Sequence, residues 1–236
     1  MSIWQPVRSR GPEWMDLPDS DPVRLERTLA QMAWINRLLT GARPLLARTI
    51  LEDIRRRPGP CTLLDVGCGG ADLTLWLARR EPSLSITCLD HDPRAEAYAR
   101  RRCSGVARIQ VHLGSASELE RLGSFDYVFA NHFLHHLEDE RIAPTVAAML
   151  ARARRLLVIT DLLRARSSYL LYSLFAGVFL HGSFAASDGL LSIRRGFLPE
   201  ELSALLAGVA PPARLEVRRE RPGRVVVIGL KGRISP

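Results

Sequence analysis

A chain of 236 residues with 47% apolar content can bury one sizeable core, which excludes a disordered chain. The formal charge of +8 points towards nucleic acid, but Lys231 is the only lysine and the arginines cluster only briefly, at 55–57, 100–102 and 218–219. Solvated faces explain those clusters better than an RNA footprint does. The four cysteines, Cys61, Cys68, Cys88 and Cys103, lack C-x-x-C spacing, and residues 1–20 lack an apolar leader. Both features point to reduced, mostly buried thiols in a cytoplasmic protein.

In chain order, residues 1–20 read as a flexible arm, pinned if at all by Trp4 and Trp14. Residues 21–58 read as a helical cap. Asp21-Pro22 starts a helix carrying Leu25, Leu29, Met32, Ile35 and Leu39, and a second helix runs from about Arg43 to Ile54, stopped by Pro58-Gly59-Pro60. Residues 59–236 then alternate. Strands are expected at Cys61–Val66, Leu84–Leu89, Arg108–Leu113, Phe125–Ala130 and Arg154–Thr160, and helices at 71–80, 94–102 and 139–152. A last helix at 199–206 precedes two strands, Arg214–Arg219 and Arg224–Leu230, joined by Arg221-Pro222-Gly223. The alternation predicts an α/β fold: a Rossmann-like, seven-stranded, mostly parallel sheet with an antiparallel C-terminal hairpin.

One stretch breaks the rhythm. Residues 163–198 form an insertion whose core, Tyr169 to Leu180, is apolar almost all round. A dozen apolar residues are too few to span a bilayer, which takes about 20, so a buried helical lid is expected and no stable membrane insertion.

The first strand ends Leu63-Leu64-Asp65-Val66-Gly67-Cys68-Gly69-Gly70 and re-emerges as a helix, the entry unit of a nucleotide-binding sheet. A dinucleotide fingerprint needs a third glycine, where this chain has Asp72, and carboxylates disfavour a pyrophosphate. Asp65 suits a cationic amino group instead, and Asp90, ending the second strand, can take both hydroxyls of a ribose. An amino-acid end plus a ribose without phosphate describes S-adenosylmethionine.

At these residues the chain resembles the class I S-adenosylmethionine-dependent methyltransferases, and at Asp188-Gly189-Leu190-Leu191-Ser192-Ile193-Arg194-Arg195-Gly196-Phe197 it resembles bacterial members acting on phenolic or polyketide-type products. The likeness rests on Asp65-Val-Gly67-Cys-Gly69-Gly70, Leu89-Asp90-His91-Asp92-Pro93 and Phe125-Asp126-Tyr127-Val128-Phe129-Ala130-Asn131, in family order. It implies Asp65, Gly67, Cys68 and Gly69 at the methionine moiety, Asp90 on the ribose, and His91 beside the adenine. Ser115 and Ala116 would serve adenine recognition, and Asn131 would lie beside the methyl group.

After the fourth strand the chain reads Asn131-His132-Phe133-Leu134, unlike the N-P-P-Y run of relatives that methylate bases or amides, while Phe133-Leu134-His135-His136-Leu137 resembles a segment common in small-molecule enzymes. Among its three histidines, His132 is the expected site base for an oxygen nucleophile, His136 a packing residue, and no metal is expected because no carboxylate pair accompanies them. His181, with Asp188, is a second catalytic candidate that the lid would lower onto the acceptor. The expectation is an enzyme methylating a small apolar or aromatic acceptor, best a phenol-like hydroxyl, with a homodimer left open. An RNA methyltransferase and an NAD-dependent oxidoreductase are the rivals.

Overall fold

The computed structural model describes residues 7–209 and 214–230, with the side chain of residue 214 outside the description. Seven strands form one sheet: β1 (Cys61–Val66), β2 (Leu84–Asp90), β3 (Ile109–Leu113), β4 (Phe125–Asn131), β5 (Ala153–Leu162), β6 (Arg214–Glu220) and β7 (Arg224–Leu230). Their order is β3-β2-β1-β4-β5-β7-β6, parallel through β5, with β7 antiparallel between β5 and β6. The mostly parallel Rossmann-like sheet with an antiparallel end is the architecture expected. β1 lies between β2 and β4, so all but Thr62 of its side chains are buried, as in a strand covered on both faces.

Helices α1 (Pro22–Leu38), α2 (Ala42–Leu46) and α3 (Glu52–Arg56) form the N-terminal cap, with a π-helical turn at Ala47–Leu51 joining the last two. α4 (Asp72–Arg80) and α5 (Pro93–Cys103) follow β1 and β2, α6 (Asp139–Arg152) follows β4, and α9 (Pro199–Leu206) precedes β6. Residues of α2, α3, α4 and α5 pack on the face that carries Leu63, Phe129 and Val158. α6 and α9 pack on the other face, against Val66, Val128 and Ala130. The order reverses between β1 and β4, and a crevice opens there at the carboxyl ends of the strands.

Two expectations change. The arm is laid against the domain from Val7 to Ser20, and residues 1–6 lie outside the described residues. Charged and backbone groups hold it. Arg8 pairs with Asp139, stacks over Phe197 at 4.1 Å and donates to the Arg195 carbonyl, and Ser9 N–H donates to Arg194 O. Trp14 is 58% exposed, so its ring does not pin the arm; Trp4 lies outside the described residues.

The lid is also two helices, α7 (Arg166–Phe179) and α8 (Ala185–Arg195). α8 takes the inner position through Ala185 and Ile193, so α7 buries only Tyr172 and Ala176 and exposes Leu170, Leu171, Leu174, Val178 and Phe179. No helix among the described residues is long and apolar enough to cross a membrane.

The clustered arginines are largely paired with carboxylates of the same chain at its surface. Arg55, Arg56 and Arg57 face Glu52 or Asp53, Arg100 pairs with Glu96, Arg101 with Glu26, and Arg218 with Glu216 and Glu220.

Candidate active site

The turn after β1 is held by main-chain bonds. Gly67 N–H and Cys68 N–H donate to Leu89 O at 2.8 and 3.2 Å, and Gly69 N–H donates to Asp90 Oδ2 at 2.8 Å. Gly67 has φ +69°, and a Cβ there would stand 2.7 Å from the Phe133 ring, so a side chain is excluded twice over. α1 crosses above, with the Leu29 carbonyl 3.2 Å from where a Gly70 Cβ would sit.

Three carboxylates meet at this end. Asp65 is buried, accepts from Thr74 Oγ1, and burial pushes its carboxyl up to about 7. Asp72 accepts from Asn36 Nδ2 at 3.0 Å on Oδ1, whereas Oδ2 is buried without a partner. Asp90 is 7% exposed and also accepts from Asp92 N–H at 3.1 Å; burial raises its carboxyl above the usual range, against the opposing pull of the two N–H bonds. His91, largely exposed, puts Nδ1 3.8 Å from Asp90.

Asn36 links this end to β4 and β7. Its Oδ1 accepts from Asn131 Nδ2 at 3.3 Å, and Asn131 Oδ1 in turn accepts from Arg224 Nη2 at 3.0 Å.

At the end of β4 the backbone folds back at His132, whose φ of +52° is unusual for a residue with a Cβ. Its N–H donates to Thr160 O, and its Nε2 is buried with no partner. Burial, then the charge of Arg224, lowers the imidazole to about 3, so it is neutral near neutral pH.

The next two histidines meet the N-terminal arm. His135 lies between Asp161, 2.7 Å from Nδ1, and Glu13, 3.5 Å from Nε2, all three buried. Burial works against its charge, but the two carboxylates win and raise it to about 10. His136 Nδ1 is bonded to Asp16 Oδ2 at 2.9 Å, and the two side chains are 27% and 32% exposed. All of these ends face one cavity of about 740 Å³, roofed by Leu171, Tyr172 and Ile193.

Residues 63–158 match the family described as "Methyltransferase domain".

Curated relatives match it over part of their length. An uncharacterized protein of Synechococcus sp. is 40% identical over 94 residues, 38% of this chain and 22% of that protein. A trans-aconitate 2-methyltransferase of Rhizobium leguminosarum bv. trifolii is 34% identical over 98 residues, 42% of this chain and 35% of that protein. The chain thus spans roughly a fifth to a third of the length of these relatives. Among solved structures, the plantazolicin methyltransferase BpumL in complex with a triazolic desmethylPZN analog and SAH has a TM-score of 0.69 at 14% identity, covering 93% of each chain, a likeness of fold.

The cavity gathers Asp65, Gly67, Cys68, Gly69, Asp90, His91, Ser115, Ala116, Asn131 and His132. Two expectations are corrected. His181 does not line the cavity: it is exposed beyond α7, its Nε2 3.0 Å from Val178 O, because the chain leaves the lid through an outer loop. Asp188 therefore has no histidine to orient and instead accepts Trp14 N–H and Met15 N–H at 3.1 and 2.9 Å, fastening the arm. Ser115 lines the cavity, and its hydroxyl accepts from Ser117 N–H at 3.2 Å to cap the turn at Ala116–Arg121.

The view that no carboxylate pair accompanies the histidines also fails. Glu13 and Asp16 come from the arm and Asp161 from β5. Atoms of Glu13, His135 and His136 lie within 4.8 Å of one another, spacing that could hold a metal ion, but His135 there is a proton-bearing cation between two carboxylates. Glu13, Asp16, Asn36, Asp161 and Arg224 were not singled out from the sequence. Asp161 had a signal, a carboxylate ending a buried strand as Asp90 does; the other four had none, since their partners lie elsewhere in the chain.

The His135 cluster predicts a pH effect. The folded value near 10 exceeds the ordinary 6.5, so its contribution to stability is complete below pH 6.5 and is lost as pH rises towards 10. The thermal midpoint of the wild type should therefore fall over that range, and His135→Gln should flatten the fall while lowering the midpoint at pH 6. A variant with an unchanged midpoint would show that the cluster does not secure the arm.

Proposed function

We propose that this chain transfers a methyl group from S-adenosylmethionine to a small, largely apolar acceptor, with O-methylation of a phenol-like hydroxyl as the reaction best supported. The observation that carries this reading is one cavity of about 740 Å³ with two unlike ends, a size typical of small-molecule sites. One end is a glycine turn with Asp65, Asp72 and Asp90; the other is histidines and arginine under an apolar roof.

The residues fit this cofactor. The unpartnered Asp72 Oδ2 and the nearly unpaired Asp65 are the acceptors that an α-ammonium group needs, and Asp90 has lone pairs for a ribose beyond its two N–H bonds. The same carboxylates disfavour a pyrophosphate, which counts against the oxidoreductase reading. The intramolecular pairing of the arginine clusters counts against the RNA reading.

When bound, S-adenosylmethionine supplies an electrophilic methyl group on a sulfonium. Leu25, Leu29 and Phe184 keep water from the turn, and positioning together with water exclusion supplies much of the rate in such a transfer. A phenol must also lose its proton. His132 is a poor acceptor of it, because burial and Arg224 oppose a second positive charge. His136 is the better base: Asp16 on Nδ1 fixes the tautomer, leaving Nε2 to take the proton at a site with access to solvent.

Calorimetric titration with S-adenosylmethionine and S-adenosylhomocysteine tests the reading, and the absence of binding by either would sink it. A sharper test uses Asp65. Its carboxyl is half-protonated near pH 7, and an ammonium partner requires the ionised form. Affinity should fall by about tenfold per pH unit below 7 and level off above it. Asp65→Asn should bind weakly and without that slope. A pH-independent affinity in the wild type would remove Asp65 from the ammonium site.

A further inference from the structure

Arg224 opens β7 opposite Leu162, at the acceptor end of the cavity, and it is 1% exposed. Nη2 donates to Asn131 Oδ1, while Nε and Nη1 are buried with no hydrogen-bond partner. Among the described residues no carboxylate lies within salt-bridge distance. Asp161 and Glu220 act on its charge through space, but Asp161 is bonded to His135 and Glu220 is paired with Arg48. Burial lowers the guanidinium to about 9, so it stays charged near neutral pH.

An unpaired buried cation is rare in folded proteins, because such a charge is costly without a counter-charge or a full set of hydrogen bonds. Here a second orphan accompanies it: His132 Nε2 is also buried and unpartnered, and His132 feels the Arg224 charge. Both residues line the cavity. A neutral imidazole can carry its proton on Nε2, so both side chains have N–H donors left over for a ligand in the cavity they line.

We propose that Arg224, with His132 Nε2–H, forms an oxyanion subsite, and that the acceptor presents an anionic oxygen to it. The inference rests on the methyltransferase reading and names the class of acceptor: an aromatic or aliphatic acid, or a phenol or enol acidic enough to ionise in the site. The oxygen held is either the one to be methylated, once deprotonated, or a carboxylate elsewhere on the acceptor. Arg224 is a binding and positioning residue in both cases. Its bond to Asn131 ties the subsite to Asn36 and Asp72, so the acceptor end and the cofactor end share one hydrogen-bond chain.

The test is a calorimetric titration of the full chain, saturated with S-adenosylhomocysteine, with three probes sharing one alkyl chain. They are para-hexylbenzoate, a para-hexyl ortho-nitrophenol ionised at the working pH, and the neutral para-hexylbenzamide. The wild type is expected to bind at least one anion about tenfold or more tighter than the amide. Arg224→Met should lose that preference and Arg224→Lys should keep part of it. Preference for the benzoate identifies a carboxylate as the anion, and preference for the nitrophenolate identifies an ionised hydroxyl.

Equal binding of all three probes by the wild type overturns the proposal without any variant, as does an anion preference that survives in Arg224→Met. Failure of S-adenosylhomocysteine itself to bind strikes the methyltransferase reading instead, so the two failures are distinguishable.

Discussion

Asp90→Ala is expected to weaken the binding of S-adenosylhomocysteine by roughly 100-fold, the loss that follows when charge-assisted hydrogen bonds worth about 1.5–3 kcal/mol disappear. The carboxylate has two duties. It accepts Gly69 N–H and Asp92 N–H, which orients it and staples the β1–α4 turn to the end of β2. Its remaining lone pairs are the ones available to ribose hydroxyls. Alanine removes both at once and leaves the Gly69 donor seeking water. Asp90→Asn keeps an acceptor oxygen without the charge, so its loss should be intermediate. Calorimetry with both variants checks the order, and an alanine variant within about threefold of the wild type would exclude Asp90 from the cofactor site.

The second large effect concerns the proton. His136→Ala should lower kcat on a phenolic acceptor by about 100–1,000-fold, the range for loss of a positioned general base, with little change in S-adenosylhomocysteine affinity. Asp16→Asn should lower kcat by less, because the imidazole survives but loses the partner 2.9 Å away that orients it. The deficit of both variants should shrink as pH approaches the acceptor's own pKa, where the phenolate forms unaided. A role in packing alone predicts a deficit independent of pH. That outcome in a variant with an intact thermal midpoint would return His136 to the structural role first assigned to it.

How far the chain could be read in advance depended on whether a signal was local. The Gly67–Gly70 turn, the strand-ending Asp65 and Asp90, and the hairpin at Arg221–Gly223 are written in consecutive residues, because turn geometry and strand periodicity act over a few positions. The lid was half legible. Its apolar run marks a helix, but whether that helix is covered depends on α8, which leaves Leu170, Leu174 and Phe179 exposed. His132 shows the same limit: its type suggested a base, while its burial beside Arg224 makes it neutral and reluctant to take a proton.

By itself the sequence determined the order of strands and helices, the sheet end where a ligand sits, and the carboxylates that suit an ammonium and a ribose. Periodicity, glycine turns and strand-ending charges are short-range properties of a chain. Only the tertiary structure decided which groups face each other across the crevice. Glu13 meets His135 across 122 residues, Asp16 meets His136 across 120, and Arg224 meets Asn131 across 93. Pairings of that span have no sequence period; they exist because the antiparallel β7 returns beside β5 and the arm closes over the end of β4. Removal of water sets the charge states of Asp65 and His132, whereas at His135 the carboxylates of Asp161 and Glu13 overcome it.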